Sequence, residues 1–159
     1  ECPWATTGRV GGRKPNIITS LELRSEEMEV INLRIQKKYK EIEEKEVRYE
    51  EYLLEDAEYA IVAFGSAARI AKKSIEIARG QGIKVGLLRP ITLWPFPTKE
   101  VQKLAGKVNG ILSLEINAGQ MVEDIRLAVE GKVPVQHFGR LGGIIPDPDE
   151  VVDAIKRLF

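Results

Sequence analysis

Four short segments that read as strands, each running into a helical pattern, constrain this chain more than anything else in it; they begin near Tyr59, Ile83, Ile111 and Val135. A strand that feeds a helix and returns parallel to itself takes a right-handed crossover, so repeating the unit builds a mostly parallel sheet with helices on both faces. Residues 59–64 are continuously apolar, as a strand covered on both faces requires. Ser66 then reads as the cap of a helix that carries Ile70, Ala71, Ile75 and Ala78 and stops at Gly80 or Gly82. A second strand spans 83–89, Thr98 opens a short helix with Val101 and Leu104, and 111–116 is the third strand. Met121, Val122, Ile125 and Val129 line the next helix, Gly131 stops it, and 134–138 is a short fourth strand. The last helix has the clearest start, with Asp147 as N-cap, Pro148 in the first turn and Glu150 three after the cap; Val151, Val152, Ile155 and Leu158 face inward. A fifth strand fits in 16–23.

The first third has a different texture. Pro3, Gly8, Gly11, Gly12 and Pro15 punctuate residues 1–20 and predict irregular backbone, a connector from an upstream domain. From Ser25 to about 53, Met28, Ile31, Ile35, Tyr39, Ile42, Tyr49 and Leu53 recur mostly at helical spacing, which predicts one long helix. Glu41 four before Lys45 and Glu44 four before Arg48 support it, while Lys38, Lys45 and Glu46 interrupt a coiled-coil seam. A helix with one apolar stripe and charge elsewhere suits a strap against a neighbouring domain or subunit. The division predicted is therefore a connector over 1–57 and an α/β domain over 58–159.

Composition narrows the function classes. The 159 residues include 24 basic and 24 acidic side chains, so no net field draws the chain to nucleic acid or anionic lipid. The longest apolar run, 59–64, falls far short of the ~20 residues of a membrane-spanning helix. Cys2 is the sole cysteine, which rules out an internal disulfide or a cysteine cage for zinc or iron–sulfur, and fits a reducing, cytoplasmic setting. The opening Glu1-Cys2-Pro3-Trp4 has no initiator Met and no secretion pattern, and reads as a piece of a longer polypeptide.

Open α/β sheets gather ligands beyond the carboxyl ends of their strands, here Gly65-Ser66, Arg89-Pro90, 115–120 and 137–143. Ser66 at a helix start suits either an anion site or an ordinary capped turn, the latter favoured. Arg140, set among Gly139, Gly142 and Gly143, suits either a docked phosphate or carboxylate, or plain turn chemistry. His137, the only histidine, has no acidic orienter or nucleophile at recognisable spacing and reads as a strand residue. Ala68 stands where a nucleophile elbow needs its second glycine. The phosphate-loop, dinucleotide and zinc-helix patterns are missing, so no catalytic or metal residue is assigned. Glu115 closes an apolar strand: it is either a general acid or base perturbed by burial, or, preferred, a structural group that fixes the next loop with Asn117 or pairs with Arg89. The stretch 89–97 holds Pro90, Trp94, Pro95, Phe96 and Pro97, stiff and apolar, and reads as a contact surface.

Taken together, the run 89–97, the segment Glu115-Ile116-Asn117-Ala118-Gly119-Gln120-Met121-Val122-Glu123-Asp124 and Gly139-Arg140-Leu141-Gly142-Gly143 resemble the C-terminal portion of the α subunit of 2-oxoacid:ferredoxin oxidoreductases. Pro3-Trp4-Ala5, Pro15-Asn16 and Glu46-Val47-Arg48-Tyr49-Glu50-Glu51-Tyr52 extend the likeness towards the start. Arg126-Leu127-Ala128-Val129 and Gly131-Lys132-Val133-Pro134-Val135 are most similar to the 2-ketoisovalerate branch, and the strand-Arg89-Pro90 loop is similar to that of the transketolase C-terminal domain. The resemblance implies a three-layer α/β/α sandwich around a mostly parallel, mixed sheet of about five strands, one of them antiparallel. It also implies a complex that uses thiamine diphosphate, Mg²⁺, iron–sulfur clusters and coenzyme A to convert a 2-oxoacid to an acyl-coenzyme A, reducing ferredoxin. Partners implied are another domain of the same α subunit and β-, γ- and δ-type subunits. The family's thiamine-binding Gly-Asp-Gly is absent here, so this chain is expected to hold none of those cofactors and to serve assembly, with Arg89, Pro90, Trp94, Pro95, Phe96, Glu115, Asn117, Gln120 and Arg140 as interface or structural residues. The alternative is a stand-alone α/β module that binds a phosphate-bearing ligand such as coenzyme A through Ser66, Asn117 and Arg140.

Overall fold

A computed structural model of the chain describes Gly8 and residues 10–158. Cys2, the Pro3-Trp4-Ala5 lead-in and Arg9 lie outside the described residues. The chain divides into two units, Glu1–Tyr39 and Lys40–Phe159, and the boundary falls inside the first helix, α1 (Ser25–Lys45). In the first unit a short 3₁₀ turn at Val10–Gly12 precedes a segment without regular secondary structure, so the strand expected over 16–23 does not form. Ile17, Ile18, Leu21 and Leu23 are exposed there. Met28, Ile31, Ile35 and Ile42 are the half-buried line of α1, in keeping with its spacing, and no α1 residue is buried.

The second unit is a five-stranded sheet in the order β1-β3-β2-β4-β5. Its elements are β1 (Tyr49–Tyr52), β2 (Tyr59–Ala63), α2 (Gly65–Gly80), β3 (Val85–Pro90), α3 (Thr98–Ala105), β4 (Ile111–Glu115), α4 (Met121–Val129), β5 (Val135–Gly139) and α5 (Pro148–Lys156). β2 to β5 are parallel and β1 is an antiparallel edge, with Tyr49 opposite Pro90 and Tyr52 opposite Leu87.

β1 corrects the reading of a helix running on to residue 53. In the strand Glu50 and Tyr52 are half-buried while Tyr49 and Glu51 are exposed, a two-residue period of burial that the residue types do not show, because the tyrosines stand three apart and so continue the helical spacing of α1. Beyond it, Leu53 and Leu54 cross so close to β3 that a Cβ on Gly86 would overlap the Leu53 carbonyl and approach Leu54 Cδ2 to 2.6 Å. Arg79, at the end of α2, ties this crossing down by donating to the carbonyls of Leu53 and Val85, each at 2.8 Å, and to Asp56 at 2.7 Å.

Alternation along the central strands explains the layers. Ile61, Ala63, Val85, Leu87, Leu112 and Leu114 point to the side where α2 and α5 lie and join Ile75, Val151 and Ile155 in one core. Ala60, Val62, Leu88 and Ile111 point the other way, against α3 and α4, with Val101, Leu104, Met121 and Ile125. Two apolar faces on each strand are why 59–64 reads as an unbroken apolar run. Burying a side chain such as Ile61 or Leu112 contributes about 1.5–3 kcal/mol, and both are essentially inaccessible.

The sandwich matches the expected architecture, and so do the buried faces of α4 and α5. The start residues shift by one or two positions: Phe64 is the N-cap of α2 and Pro97 that of α3, which puts Ser66 and Thr98 inside their helices.

Candidate functional site

The carboxyl edge of the sheet is organised around Glu115, a fully buried carboxylate at the end of β4. One oxygen accepts from the backbone N–H of Gln120 at 3.1 Å and Met121 at 2.9 Å; the other accepts from Val122 N–H at 3.0 Å and the Ser113 hydroxyl at 2.9 Å. These N–H groups are the orphan donors of α4's first turn, so the chain supplies its own anion to that helix N-terminus. Burial by itself pushes the Glu115 carboxyl upward. The hydrogen bonds from Met121, Gln120, Ser113 and Asn117 outweigh it and hold the group below the ordinary carboxylate range. Both oxygens of Glu115 are thereby engaged in holding the first turn of α4 against the end of β4.

The groups beside it are also committed locally. Asn117 Oδ1 accepts from Gly119 N–H at 2.7 Å and shapes the β4–α4 turn. Gln120 is the N-cap of α4. His137 on β5 places Nε2 3.9 Å from Glu115 Oε1, too far for a hydrogen bond, and that nitrogen is buried without a partner. Gly139 is required by this crowding, since a Cβ there would overlap the Asn117 carbonyl and come within 2.7 Å of the His137 ring. Arg140 donates to Glu150 at 2.6 Å, and Glu150 in turn accepts from the Asp147 N–H in the α5 capping box. Ser66, Asn117 and Arg140 therefore lie along the ends of three successive strands, and the latter two are engaged in holding turns.

Arg89 does not pair with Glu115, because β2 stands between β3 and β4. Its partner is Glu50 of β1, at 2.9 Å, and Lys72 of α2 reaches the other oxygen of Glu50 at 2.5 Å while lying over the Tyr52 ring. Lys72 first, then Arg89, hold the Glu50 carboxyl below its ordinary value. Sequence reasoning missed this group because it depends on β1, and the two tyrosines of Tyr-Glu-Glu-Tyr, three apart, carry a helical rather than a strand signal. Arg89 Nε is buried with no hydrogen-bond partner.

The 91–97 loop exposes three large apolar side chains. Ile91, Leu93 and Trp94 are 54%, 46% and 54% exposed, the Trp94–Pro95 bond is cis, and Pro95 and Pro97 are buried. Thr92 anchors the loop by accepting from Arg48 N–H at 3.0 Å and donating to the Pro95 carbonyl at 3.0 Å. A groove of about 700 Å³ runs between the loop and the chain leading into β1. Val47, Tyr49, Trp94, Pro95 and Phe96 supply apolar lining, and Lys40, Glu43, Glu44, Lys99 and Glu100 add charge of both signs. Apolar surface with a charged rim is the anatomy of a contact between proteins.

Among the described residues, no three or more His, Cys, Asp or Glu side chains converge as a metal site, and no helix is long and apolar enough to cross a membrane.

Residues 57–151 match the family described as pyruvate:ferredoxin oxidoreductase core domain II. The ketoisovalerate oxidoreductase subunit VorB of Methanothermobacter thermautotrophicus is 44% identical over 158 residues, which is 99% of this chain and 44% of that subunit. This chain thus spans less than half the length of that relative. Among solved structures, the 2-oxoglutarate:ferredoxin oxidoreductase of Magnetococcus marinus superposes with a TM-score of 0.69 over 86% of this chain and 24% of its own, at 16% identity. A split-gene transketolase superposes with a TM-score of 0.58 over 69% of this chain and 41% of its own, at 15% identity. The two structures share the sandwich; the family match and the near full-length relative add ancestry to it, and the chain belongs to the pyruvate:ferredoxin oxidoreductase core domain II family.

Proposed function

We propose that this chain is the assembly domain of the α subunit of a 2-oxoacid:ferredoxin oxidoreductase whose substrate is 2-ketoisovalerate. The carrying observation is the 44% identity to a ketoisovalerate oxidoreductase subunit along 158 residues. In this reading the complete enzyme decarboxylates the 2-oxoacid oxidatively on thiamine diphosphate with Mg²⁺, sends electrons through iron–sulfur clusters to ferredoxin, and releases an acyl-coenzyme A, in the cytoplasm. Those groups are assigned to other parts of the complex, because the thiamine-binding Gly-Asp-Gly motif implied by the resemblance is absent from this sequence.

The role left to the chain is contact. Residues 1–57 serve as connector and clasp, and the 58–159 domain, extended by β1, presents Trp94 and Phe96 to another domain of the same α subunit, with Pro90 and Pro95 buried behind them as structural support and Arg89 paired with Glu50. β-, γ- and δ-type subunits complete the assembly. The test is reconstitution of the complex from its full-length subunits, with 2-oxoacid-dependent reduction of a viologen dye as readout. The complex should reduce dye faster with 2-ketoisovalerate than with pyruvate or 2-oxoglutarate, and the isolated chain should be silent when given thiamine diphosphate, Mg²⁺ and coenzyme A. Turnover by the isolated chain, or a preference for 2-oxoglutarate in the complex, would overturn the respective half of the reading.

A further inference from the structure

Two charged features of the carboxyl edge have their partner within the chain: Arg140 has Glu150, and α4's first turn has Glu115. One cluster is only partly matched. Arg69, Lys72 and Arg89 line a cavity of about 310 Å³ together with Gly65 and Ala68. Glu50 is the one carboxylate paired with them among the described residues, shared between Lys72 and Arg89, so positive charge remains in excess by two. Arg69 is exposed and makes no hydrogen bond or ion pair among the described residues, and Arg89 uses one guanidinium nitrogen, Nη1, on Glu50. Arg69 and Lys72 are three apart on α2 and so share a face. Arg89 comes from β3, the parallel neighbour of the strand that feeds α2, which sets all three cations at the carboxyl edge of the sheet.

The local helix adds to this field. The N-cap of α2 is Phe64, with no side-chain acceptor to offer, and the first turn has no acidic residue. Its free N–H groups and dipole are left for an outside anion. Two positive charges in excess match a dianion better than a monoanionic carboxylate does. Guanidinium groups grip phosphate oxygens in a bidentate manner, and the cavity exceeds what one tetrahedral anion fills.

We propose that this cleft binds the phosphate or diphosphate group of a small-molecule ligand through Arg69, Lys72 and Arg89. The assignment does not rest on the assembly role, and catalytic silence of the isolated chain leaves it untouched. The test is titration of the ¹⁵N-labelled chain with inorganic phosphate, with pyrophosphate and with ADP, at ionic strength held constant with sodium chloride. Saturable shifts of the amides of residues 65–69, stronger for pyrophosphate than for phosphate, are expected. Tighter binding of ADP than of pyrophosphate identifies the diphosphate as carried on a larger molecule, and equal binding identifies a free anion. Arg69→Ala, at an exposed position, should weaken binding by about tenfold, the loss of one hydrogen bond to a charged group, and Arg69→Lys should restore part of it. Shifts that never saturate, equal affinity in Arg69→Ala, or a response confined to an acidic peptide such as polyglutamate would each overturn the proposal.

Discussion

At the scale of single residues, Glu115 shows how a buried charge is retained. A carboxylate inside a protein is costly unless hydrogen bonds replace its water, and here three backbone N–H groups and a hydroxyl do so. The sequence shows an acidic residue closing an apolar strand, which allows either a perturbed acid or a lock. Only the turn of α4 back onto it decides between them, through N–H groups of Gln120, Met121 and Val122 that any residues would carry. The same blindness explains the expected pairing of Glu115 with Arg89: charge and position are legible, strand order is not. Because its folded pKa is depressed, Glu115 contributes stability that is fully present above the unfolded carboxyl value of about 4.3 and is lost as pH falls through the folded value. Glu115→Gln places an amide donor against backbone donors and should cost about 3 kcal/mol at neutral pH. It should also flatten the loss of stability on acidification. Urea unfolding from neutral pH into the acid range checks both, and a variant as stable as the parent at neutral pH would remove the lock from the account.

At the scale of elements, legibility follows from how local the determining chemistry is. The α5 start was readable to the residue because Asp147, Pro148 and Glu150 carry the capping box within four positions. Replacing Asp147 by Ala should lower stability by about 1 kcal/mol. Glu150→Gln keeps an acceptor for the Asp147 N–H and loses only charge in a part-exposed pair with Arg140, so its effect should stay within a few tenths of a kcal/mol. Thermal unfolding that ranks the two in the opposite order would contradict the assignment of the cap. β1 was illegible for the converse reason. Its four residues bury little, its partner strand β3 is remote in sequence, and it follows a helix whose period it half satisfies. What fixes β1 is long-range: the glycine that admits the Leu53 crossing and the Arg79 clamp over it. Gly86→Ala should therefore cost about 1–3 kcal/mol, the range for overpacking. Hydrogen exchange should speed up in the amides of 49–52 more than in β4 or β5, whereas uniform acceleration would mean that the crossing does not control the edge.

For the molecule as a whole, the question is what a domain does when its strand-end groups are largely spent on holding itself together. The α/β sandwich, mostly parallel with one antiparallel edge, was legible from the rhythm of strands and helices, because each central strand faces two apolar layers and each helix shows one. What it meets was legible only as texture, in the prolines and aromatics of 89–97. The structure turns that texture into a groove with Trp94 on its apolar side, Pro95 and Pro97 stiffening the loop from within, and charge of both signs around it. Aromatic residues in such surroundings carry a large share of contact energy when a partner excludes water from them. Trp94→Ala removes that surface at a position more than half exposed, so the variant's own stability should change little. The same substitution in the full-length subunit should reduce recovery of the assembled complex, and with it dye reduction per subunit, by about tenfold or more, the consequence of losing a contact worth ~2 kcal/mol. Size-exclusion chromatography of the complex, alongside circular dichroism of the variant chain, separates the two effects. A folded Trp94→Ala chain that assembles like the parent would show that the groove is not the contact and leave the connector helix to carry it; a folded chain that fails to assemble would locate the contact at the loop whose rigidity the sequence announces.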